Sequence, residues 1–390
     1  MLAAVIIFWL CLAVLFYTFA GYPLLMRCLA GLREAATPRA NSSPLPSATV
    51  ILAAHNEAGR ILPRLQNLLA SHYPENQLNI IVVSDGSTDD TVRQIQSLDH
   101  PRVQLIIQPQ RLGKAHALNL AAAAATGDLL VFADVRQNFA PATIAQLAGH
   151  FGGLQIGAVS GELIIDPAAS AVGGGVDFYW KLERFLRYAE SRWDSSIGCT
   201  GAVYAIRRAL FTPLPADTIL DDVVIPMRIA AQGFRVAFDP AARAFDPQSL
   251  EPHREQVRKR RTLAGNYQML FRHPDWLLPW RHRLWWQLLS HKYLRLAAPF
   301  FLLLLFVANA ALLGHGLYRW LFAGQCLFYA LALSRLVFPS PKFFLFSLPA
   351  GFVFLNWQAA LALWQYLRNP NQSAWQSSQT PNPSPNVQSP

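Results

Sequence analysis

The stretch LNIIVVSDGSTDD, Leu78 to Asp90, combines an apolar run with an abrupt polar end. Isoleucine and valine in succession are typical of a buried strand. The Asp-Gly pair that follows is typical of a turn, and Ser87 or Thr88 is suited to cap a helix after that turn. We therefore predict a strand over Leu78–Ser84, then a polar turn and a helix.

The alternation of strand and helix continues on both sides of this stretch. Thr49–Ala54 is a second apolar run, and leucines recur at helical spacing over Ile61–Leu69. Further along, the pattern predicts a strand at Val103–Ile107, a helix at Gly113–Ala125 and a strand at Leu129–Phe132. Apolar strands that alternate with helices predict an α/β fold with a parallel, doubly wound sheet.

Polar residues follow three of the four predicted strands. His55-Asn56-Glu57 follows the first strand, Asp85 the second and Asp134 the fourth. In doubly wound sheets the ligand binds beyond the carboxyl ends of the strands. A single Asp after a strand is often only a turn former, but three polar ends at one edge indicate a binding site.

Apolar residues make up 53% of the 390 residues and concentrate at the two ends of the chain. Leu2–Ala20 contains no charged residue and is about long enough to cross the hydrocarbon layer of a membrane. Because arginines follow this segment and none precedes it, we predict a retained anchor and not a cleaved signal peptide. Its C-terminal side is expected in the cytoplasm.

Three further candidate spans lie near the other end of the chain, with buried core helices as the alternative interpretation. They are Leu296–Leu313, Trp320–Phe338 and Phe343–Leu367. The predicted organisation is an anchor at 1–30, an α/β domain at 45–272, an interfacial segment at 273–295 and three spans within 296–367. Residues 368–390 are rich in Pro, Ser, Asn and Gln and are predicted to be disordered.

The net charge of +10 is concentrated in one segment, Glu251–Arg295, which holds ten Lys and Arg residues and three acids. Aromatic residues are interleaved with these charges at Trp276, Trp280, Trp285, Trp286 and Tyr293. Next to predicted membrane spans, this composition favours an amphipathic segment at the membrane surface. Anionic lipid or a phosphorylated substrate is therefore expected as its partner, and nucleic acid is not.

The four cysteines, Cys11, Cys28, Cys199 and Cys326, have no paired spacing and no neighbouring histidine cluster. The sequence therefore predicts neither a disulfide framework nor a zinc site.

Seven short motifs carry a resemblance to a known family. They are AAHNE (Ala53–Glu57), SDGSTDDT (Ser84–Thr91), GKAHALN (Gly113–Asn119), FADVRQ (Phe132–Gln137), GCTGAVYAIRR (Gly198–Arg208), LDD (Leu220–Asp222) and RKRRTLAGN (Arg258–Asn266). With these motifs the chain resembles membrane-anchored family 2 glycosyltransferases, the group that includes cellulose, chitin and hyaluronan synthases. The resemblance implies a GT-A fold, which is Rossmann-like and binds a nucleotide-sugar, usually with a divalent metal.

The resemblance implies that residues at the strand ends bind the donor. Asn56, Glu57 and Asp85 present oxygens suited to the base and ribose hydroxyls of a uridine nucleotide, with capping and turn formation as the alternative. Lys114 is suited to neutralise phosphate charge, with a solvated lysine at a helix start as the alternative.

Asp134 matches the first acid of the family's Asp-x-Asp motif, and Arg136 stands where the second acid is expected. Because Mg²⁺ typically takes one or two carboxylates plus phosphate and water oxygens, Asp134 alone suffices for a Mg²⁺ or Mn²⁺ site. The guanidinium of Arg136 is expected to meet part of the phosphate charge. An ion pair with a neighbouring acid is the alternative.

Asp222 matches the acid of the family's Glu-Asp motif, which implies a general base that takes the proton of the acceptor hydroxyl. Asp221 stands in place of the usual Glu and is expected to orient its neighbour, with helix capping as the alternative for the pair. Gly201 falls in the region expected to line the acceptor pocket. Glu183, Glu190 and Arg192 on the preceding helix are further candidates, and a solvated helix face explains them equally well.

The segment Arg258–Thr262 occupies the place of the family's Gln-x-x-Arg-Trp signature. Arg261 matches and is suited to stabilise the leaving diphosphate, whereas Arg258 stands at the Gln position and joins the donor-binding set. Thr262 replaces the Trp, which weakens the prediction of processive synthesis. A basic cluster that faces only lipid is the alternative.

The resemblance thus implies an inverting glycosyltransferase that moves a sugar from a nucleotide-diphosphate donor, by preference a UDP-sugar, to a lipid or polysaccharide acceptor at the membrane. The expected process is exopolysaccharide or glycolipid synthesis. The expected location is the inner (plasma) membrane, with several spans and a cytoplasmic catalytic domain. A homo-oligomer or an export partner would complete a conduit. The alternative is a non-catalytic scaffold or nucleotide-sugar sensor that retains the fold. A transporter is disfavoured because Leu296–Leu313 and Phe343–Leu367 contain no charge.

Overall fold

A computed structural model describes residues 1–33, 44–165, 174–246, 252–337 and 344–368. Within these residues the chain forms one α/β domain and several long apolar helices. The tail that is predicted to be disordered lies outside the described residues from position 369 onward.

The α/β domain is built on one sheet with the strand order β3-β2-β1-β4-β7-β6-β8-β5. The strands are β1 Ala48–Ala54, β2 Leu78–Asp85, β3 Val103–Gln108, β4 Leu129–Ala133, β5 Asn138–Phe139, β6 Ile156–Ile165, β7 Val203–Arg207 and β8 Arg235–Asp246. The first four strands are parallel, as predicted. The sheet is nevertheless mixed, because β7 runs antiparallel to both β4 and β6.

The helices follow the strands in the predicted alternation up to β4. They are α1 Leu2–Phe16, α2 Tyr22–Gly31, α3 Ile61–Leu69, α4 Thr91–Leu98, α5 Lys114–Ala124, α6 Thr143–Gly149, α7 Gly174–Trp193, α8 Asp221–Ala231, α9 Pro252–Arg272, α10 Trp285–Leu288, α11 Leu294–Ala310, α12 Gly316–Val337 and α13 Phe344–Arg368. The predicted cap of α4 is wrong, because its N-cap is Asp90. The Asp89 carboxylate accepts the Thr91 N–H at 3.0 Å instead.

Both faces of the sheet are buried, which explains why the central strands read as continuous apolar runs. Ile51 and Phe132 pack in the layer that contains α5 and α8. Val50 and Val82 pack in the layer that contains α3 and α6. Polar residues of these strands are thereby confined to the strand ends.

Three helical stretches in the described part of the chain are long and apolar enough to cross a membrane. They are Leu2–Gly31, Trp285–Ala310 and Phe346–Arg368. The second stretch begins inside the segment predicted to be interfacial. The predicted span Trp320–Phe338 lies mostly on α12, which is not among the three, and Arg319 and Gln325 make that helix more polar.

The apolar helices pack directly on the α/β domain. α13 packs against α7 and α9, and α2 packs against α7. Arg260 Nε donates a hydrogen bond to Gln358 Oε1 at 3.1 Å, and the Tyr267 hydroxyl donates to the Leu296 carbonyl at 3.1 Å. α7 and α9 therefore connect the α/β domain to the apolar helices.

Candidate active site

Three strand ends bring predicted site residues to one edge of the sheet. β1 is parallel to β2 and β4, with Ala54 paired to Ser84 and Leu52 paired to Ala133. The residues that follow these strands therefore emerge on the same side, where doubly wound sheets bind ligands.

The Asp85 carboxylate is fully buried and holds the loop in front of Lys114. Its Oδ1 accepts the Leu112 N–H and its Oδ2 accepts the Gly113 N–H, each at 2.8 Å. Gly113 has a φ of 99°, a conformation that residues with side chains rarely adopt. Asp85 thus fixes the start of α5, and the nucleotide contact expected of it stays a prediction.

Asn56 and Glu57 order the turn after β1. Asn56 has a φ of 55°, and its Oδ1 accepts the Thr88 N–H at 2.8 Å, which ties this turn to the one after β2. Burial raises the pKa of Glu57, and the Arg60 guanidinium, 3.2 Å from its Oε2, offsets part of that rise. Both residues therefore have local partners at the position predicted for donor binding.

Lys114 lies between two of the predicted carboxylates. Its Nζ is 3.2 Å from Oδ1 of Asp134 and 3.4 Å from Oδ2 of Asp221. Burial alone lowers the pKa of Lys114, but Asp134, Asp221 and Asp222 raise it above its ordinary value, so the ammonium stays charged. With a side chain only 18% exposed, Lys114 is not the solvated lysine of the alternative interpretation.

Asp134 presents an accessible carboxylate, with 40% of its side chain exposed. Burial raises the pKa of Asp134, but Lys114, Arg136 and Arg261 outweigh it and hold the pKa below the ordinary value. The buried Arg64 donates from Nε to the Asp134 carbonyl at 3.1 Å and fixes the backbone there. An ionised carboxylate on a fixed backbone fits a metal that takes its other ligands from phosphate and water.

The described residues contain no group of three or more His, Cys, Asp or Glu side chains that could hold a metal without help. A metal at Asp134 would therefore take its further oxygen ligands from phosphate and water.

Arg136 is paired with an acid, as the alternative interpretation anticipated. Its Nη2 donates to Oδ2 of the buried Asp246 at 2.5 Å, and Gln137 Nε2 donates to the same oxygen at 3.3 Å. Asp246 ends β8, so this contact ties the loop after β4 to the end of β8. Arg136 still lowers the pKa of Asp134, so its charge acts on the site.

Asp221 and Asp222 form the first turn of α8. Asp221 faces Lys114, whereas Asp222 lies against Gly201, where a Cβ atom would come within 2.9 Å of Asp222 Oδ2. Burial and the charge of Asp221 raise the pKa of Asp222 to about 6, and Lys114 and Arg187 offset part of the rise. A carboxylate with a pKa near neutrality is suited to accept a proton.

α9 brings Arg261 close to the carboxylates. Its guanidinium lowers the pKa of Asp134, which places it within electrostatic reach of that residue. Arg258, one helical turn earlier, lies over the Trp180 ring at 5.9 Å from the centroid. Thr262 is on the exposed side of α9, where its hydroxyl donates to the Arg258 carbonyl at 3.0 Å.

Two further residues of α9 hold the chain in front of Asp221. Gln268 Oε1 accepts the Ile219 N–H at 3.0 Å. Gly265 lets α9 approach closely, because a Cβ atom there would lie 2.5 Å from Leu220 Cγ. Gly265 belongs to a motif quoted above, whereas no sequence signal marks Gln268.

Arg187 is a charged residue of the site that the sequence does not reveal. Its Nη1 donates to Thr200 Oγ1 at 2.7 Å, and its Nε is 3.7 Å from Glu183 Oε1. Arg187 reaches the site because α7 packs beside the loop that contains Gly201. A helical arginine of this kind has no local pattern that distinguishes it from a solvated one.

Comparisons with known proteins agree with this geometry. The structure resembles that of a mannosyltransferase from Pyrobaculum calidifontis, solved in complex with GDP-Man and Mn²⁺, with a TM-score of 0.67 and 26% identity. The match covers 92% of this chain and 99% of the other. The fold is therefore that of a GT-A glycosyltransferase.

Sequence comparisons identify a domain of a known family in this chain. Residues 49–211 match the model of glycosyl transferase family 2. An N-acetylglucosaminyltransferase of Rhizobium meliloti is 29% identical over 237 residues, 55% of each chain. Another from Sinorhizobium fredii is 28% identical over 245 residues, 57% of this chain and 59% of that protein. This chain thus spans little more than half the length of these relatives. It carries a glycosyl transferase family 2 domain on a GT-A fold, which supports the predicted family, fold and enzyme class.

Proposed function

We propose that this chain transfers a sugar, with inversion, from a nucleotide-diphosphate donor to the hydroxyl of a membrane-associated acceptor. The observation that carries the proposal is one contiguous cluster at the sheet edge. The Lys114 ammonium lies within 3.4 Å of Asp134 and Asp221, and Asp222 beside them has a pKa of about 6. In this arrangement the Lys114 cation is available to the leaving diphosphate, and Asp222 is available as a base for the acceptor hydroxyl.

In the proposed reaction the acceptor oxygen attacks the anomeric carbon while Asp222 takes its proton. The bond from that carbon to the diphosphate oxygen breaks, and its electron pair leaves with the nucleoside diphosphate. Lys114 and Arg261 stabilise the negative charge that develops on the leaving group. Attack from the face opposite the leaving group inverts the configuration.

The donor side is assigned to Asn56, Glu57 and Asp85, with Arg258 next to the phosphate groups. The preferred donor is a UDP-sugar. UDP-N-acetylglucosamine is the first to test, because the relatives in Rhizobium meliloti and Sinorhizobium fredii are N-acetylglucosaminyltransferases. GDP-mannose is the second, because the Pyrobaculum calidifontis structure contains it.

Asp134 is the residue that would hold a divalent metal, Mg²⁺ or Mn²⁺. Its accessible carboxylate suits this role, and the Mn²⁺ in the Pyrobaculum calidifontis protein supports it. A bound metal would add positive charge beside the diphosphate. Arg136 assists by keeping Asp134 ionised while it remains paired with Asp246.

A membrane-associated acceptor, lipid or polysaccharide, is favoured by the position of the site. α7 bonds Thr200 through Arg187, and α9 lies against Leu220 at Gly265. These two helices pack on the apolar helices α2 and α13. An acceptor anchored in lipid would therefore reach Asp222 along these helices. We place the protein in the inner membrane with several spans and a cytoplasmic catalytic domain.

The test uses detergent-purified full-length protein supplied with bacterial lipid extract. Nucleoside diphosphate release is measured from UDP-N-acetylglucosamine, UDP-glucose and GDP-mannose in Mg²⁺, Mn²⁺ or EDTA. One donor is expected to be turned over, and Asp222→Asn should lower the rate by roughly 10²-fold or more. Asp134→Ala should remove the dependence on metal.

Asp99→Asn is the matched control, because Asp99 is exposed and its φ of 39° suits asparagine equally well. It should retain the wild-type rate. Donor binding without turnover, identical in wild type and Asp222→Asn, would contradict the proposal and favour the scaffold or sensor.

A further inference from the structure

We infer that Arg187 is a positioning residue for Asp222, and that its guanidinium, held by Thr200, orients and electrostatically balances the carboxylate that takes the acceptor proton. The inference rests on the proposed function, in which Asp222 is the base. It assigns a role to a residue of α7 that belongs to none of the sequence motifs.

The Arg187 guanidinium is held at a fixed position. Its Nη1 donates to Thr200 Oγ1 at 2.7 Å. That hydroxyl in turn donates to the Gly161 carbonyl at 2.8 Å, and the Thr200 N–H donates to Ser160 Oγ at 2.8 Å. Since β6 carries both partners of Thr200, the sheet itself anchors the arginine.

The residues on either side of Thr200 contact Asp222. The Cys199 N–H donates to the Asp222 carbonyl at 2.8 Å. Gly201 faces the side chain, where an added Cβ atom would lie 2.9 Å from Oδ2 and 3.3 Å from Cγ. Arg187 and Asp222 therefore both contact the loop Cys199–Gly201. Arg187 bonds the hydroxyl of Thr200, whereas Asp222 lies against the backbone of Cys199 and Gly201.

Acidic and basic neighbours shift the pKa of Asp222 in opposite directions, and Arg187 is one of the basic ones. Asp221 on α8 and Asp134 after β4 raise the pKa of Asp222, whereas Lys114 on α5 and Arg187 on α7 lower it. Asp222 in turn raises the pKa of Cys199 and of Tyr204, which are both buried. Lys114 is shared among three carboxylates, so loss of Arg187 removes a positive charge that Lys114 replaces only in part.

The test is the pH dependence of kcat/KM for nucleoside diphosphate release by the full chain. Arg187→Met should shift the acidic limb to higher pH by about one unit, since removal of a nearby opposite charge favours the protonated carboxyl. Arg187→Lys should restore most of the shift because it keeps the charge. Lys181→Met is the control, because it removes the same charge from an exposed position of α7 and should leave the limb in place.

Other outcomes separate this inference from the proposed function. A lower rate with an unmoved acidic limb in Arg187→Met would mean a merely structural role and would overturn the inference. Wild-type release by Asp222→Asn would overturn the proposed function and the inference with it. Should Arg187→Met fail to fold, Thr200→Val removes only the hydroxyl that holds the guanidinium. It should shift the limb in the same direction, and an unmoved limb there refutes the inference.

Discussion

At the scale of a single side chain, the proposed base Asp222 opposes the stability of the fold when it is ionised. Burial and Asp221 raise its pKa from 3.8 to about 6. Because this pKa is higher in the folded chain than in the unfolded chain, the ionised carboxylate opposes folding. In the proposed function, the same raised pKa lets Asp222 accept a proton near neutral pH.

Asp222→Asn is therefore expected to stabilise the protein at pH 7 while it abolishes activity. Because the pKa is raised in the folded state, the opposition is absent below the unfolded pKa of about 4 and complete above about 6. The increase in Tm should thus be largest at neutral pH and vanish near pH 4. Thermal unfolding in detergent across this range measures it.

Asp217→Asn provides a control of opposite sign. Asp217 is paired with Arg272, and the hydrogen bond from that guanidinium lowers the pKa of Asp217. Its ionised form supports folding, so its replacement should lower Tm at pH 7. An equal response of the two variants would contradict the assigned origin of the Asp222 shift.

Local pattern identifies some site residues and misses others for a physical reason. Asp85 and Asp134 are predictable because each ends an apolar run that can only be a buried strand. The partner of Arg136 is not predictable from local pattern. Asp246 is 110 residues away in sequence and comes close to Arg136 only through the strand order of the sheet. The same holds for Arg187, which depends on the packing of α7.

At the scale of elements, the central strands are predictable and the later ones are less so. β1, β2 and β4 are buried on both faces, which leaves a continuous apolar signature. β8 instead carries Asp239 and Pro240 within its span, and its pairing with β6 is irregular between Ser160 and Glu162. β7 also runs antiparallel to its neighbours. The simple alternation of strand and helix therefore does not predict this part of the sheet.

Gly265→Ala tests whether the close approach of α9 positions Arg261. Alanine is favoured over glycine in a helix by about 1 kcal/mol, but overpacking against Leu220 opposes folding by about 1–3 kcal/mol. A Cβ atom 2.5 Å from Leu220 Cγ makes the second effect dominant. We expect a lower Tm together with a lower kcat, measured by unfolding and by nucleoside diphosphate release.

Gly324→Ala is the matched control on another helix. No atom lies within 4 Å of a Cβ built at Gly324, which is on α12. This variant should leave kcat unchanged and should not lower Tm. Wild-type activity in Gly265→Ala would show that the distance between α9 and Leu220 does not set the position of Arg261.

At the scale of the molecule, a buried polar network joins the α/β domain to the apolar helices. His291 Nε2 lies 2.9 Å from Glu183 Oε2, and Lys292 Nζ lies 2.7 Å from Glu183 Oε1. Arg295 Nη1 donates to Glu183 Oε2 at 3.2 Å. The interpretation of Glu183 as a solvated residue is wrong, because only 6% of its side chain is exposed.

Glu190 extends this network to the first apolar stretch. Its Oε1 accepts the Tyr22 hydroxyl at 2.6 Å and lies 2.8 Å from His291 Nδ1. Glu190 is also buried and not solvated. Since α7 carries Glu183, Arg187 and Glu190, one helix links the loop beside Asp222 to two candidate membrane spans.

Glu183→Gln tests whether this network fixes the domain on the apolar helices. Burial raises the pKa of Glu183, but His291 and Lys292 outweigh it and hold the pKa well below its ordinary value. The ionised form therefore supports folding above the unfolded pKa of about 4.3, and that support is lost only as pH falls through the lower folded value. At pH 7 the variant leaves the largely buried Lys292 and Arg295 without this carboxylate, so we expect a loss of about 3–5 kcal/mol, measured as a fall in Tm in detergent.

Glu75→Gln is the control, because the Glu75 side chain is 85% exposed and lies 4.0 Å from Arg102. It should change stability by less than about 1 kcal/mol. Equal Tm values for the two variants would mean that the apolar contacts of α13 and α2, and not the charges on α7, hold the domain in place.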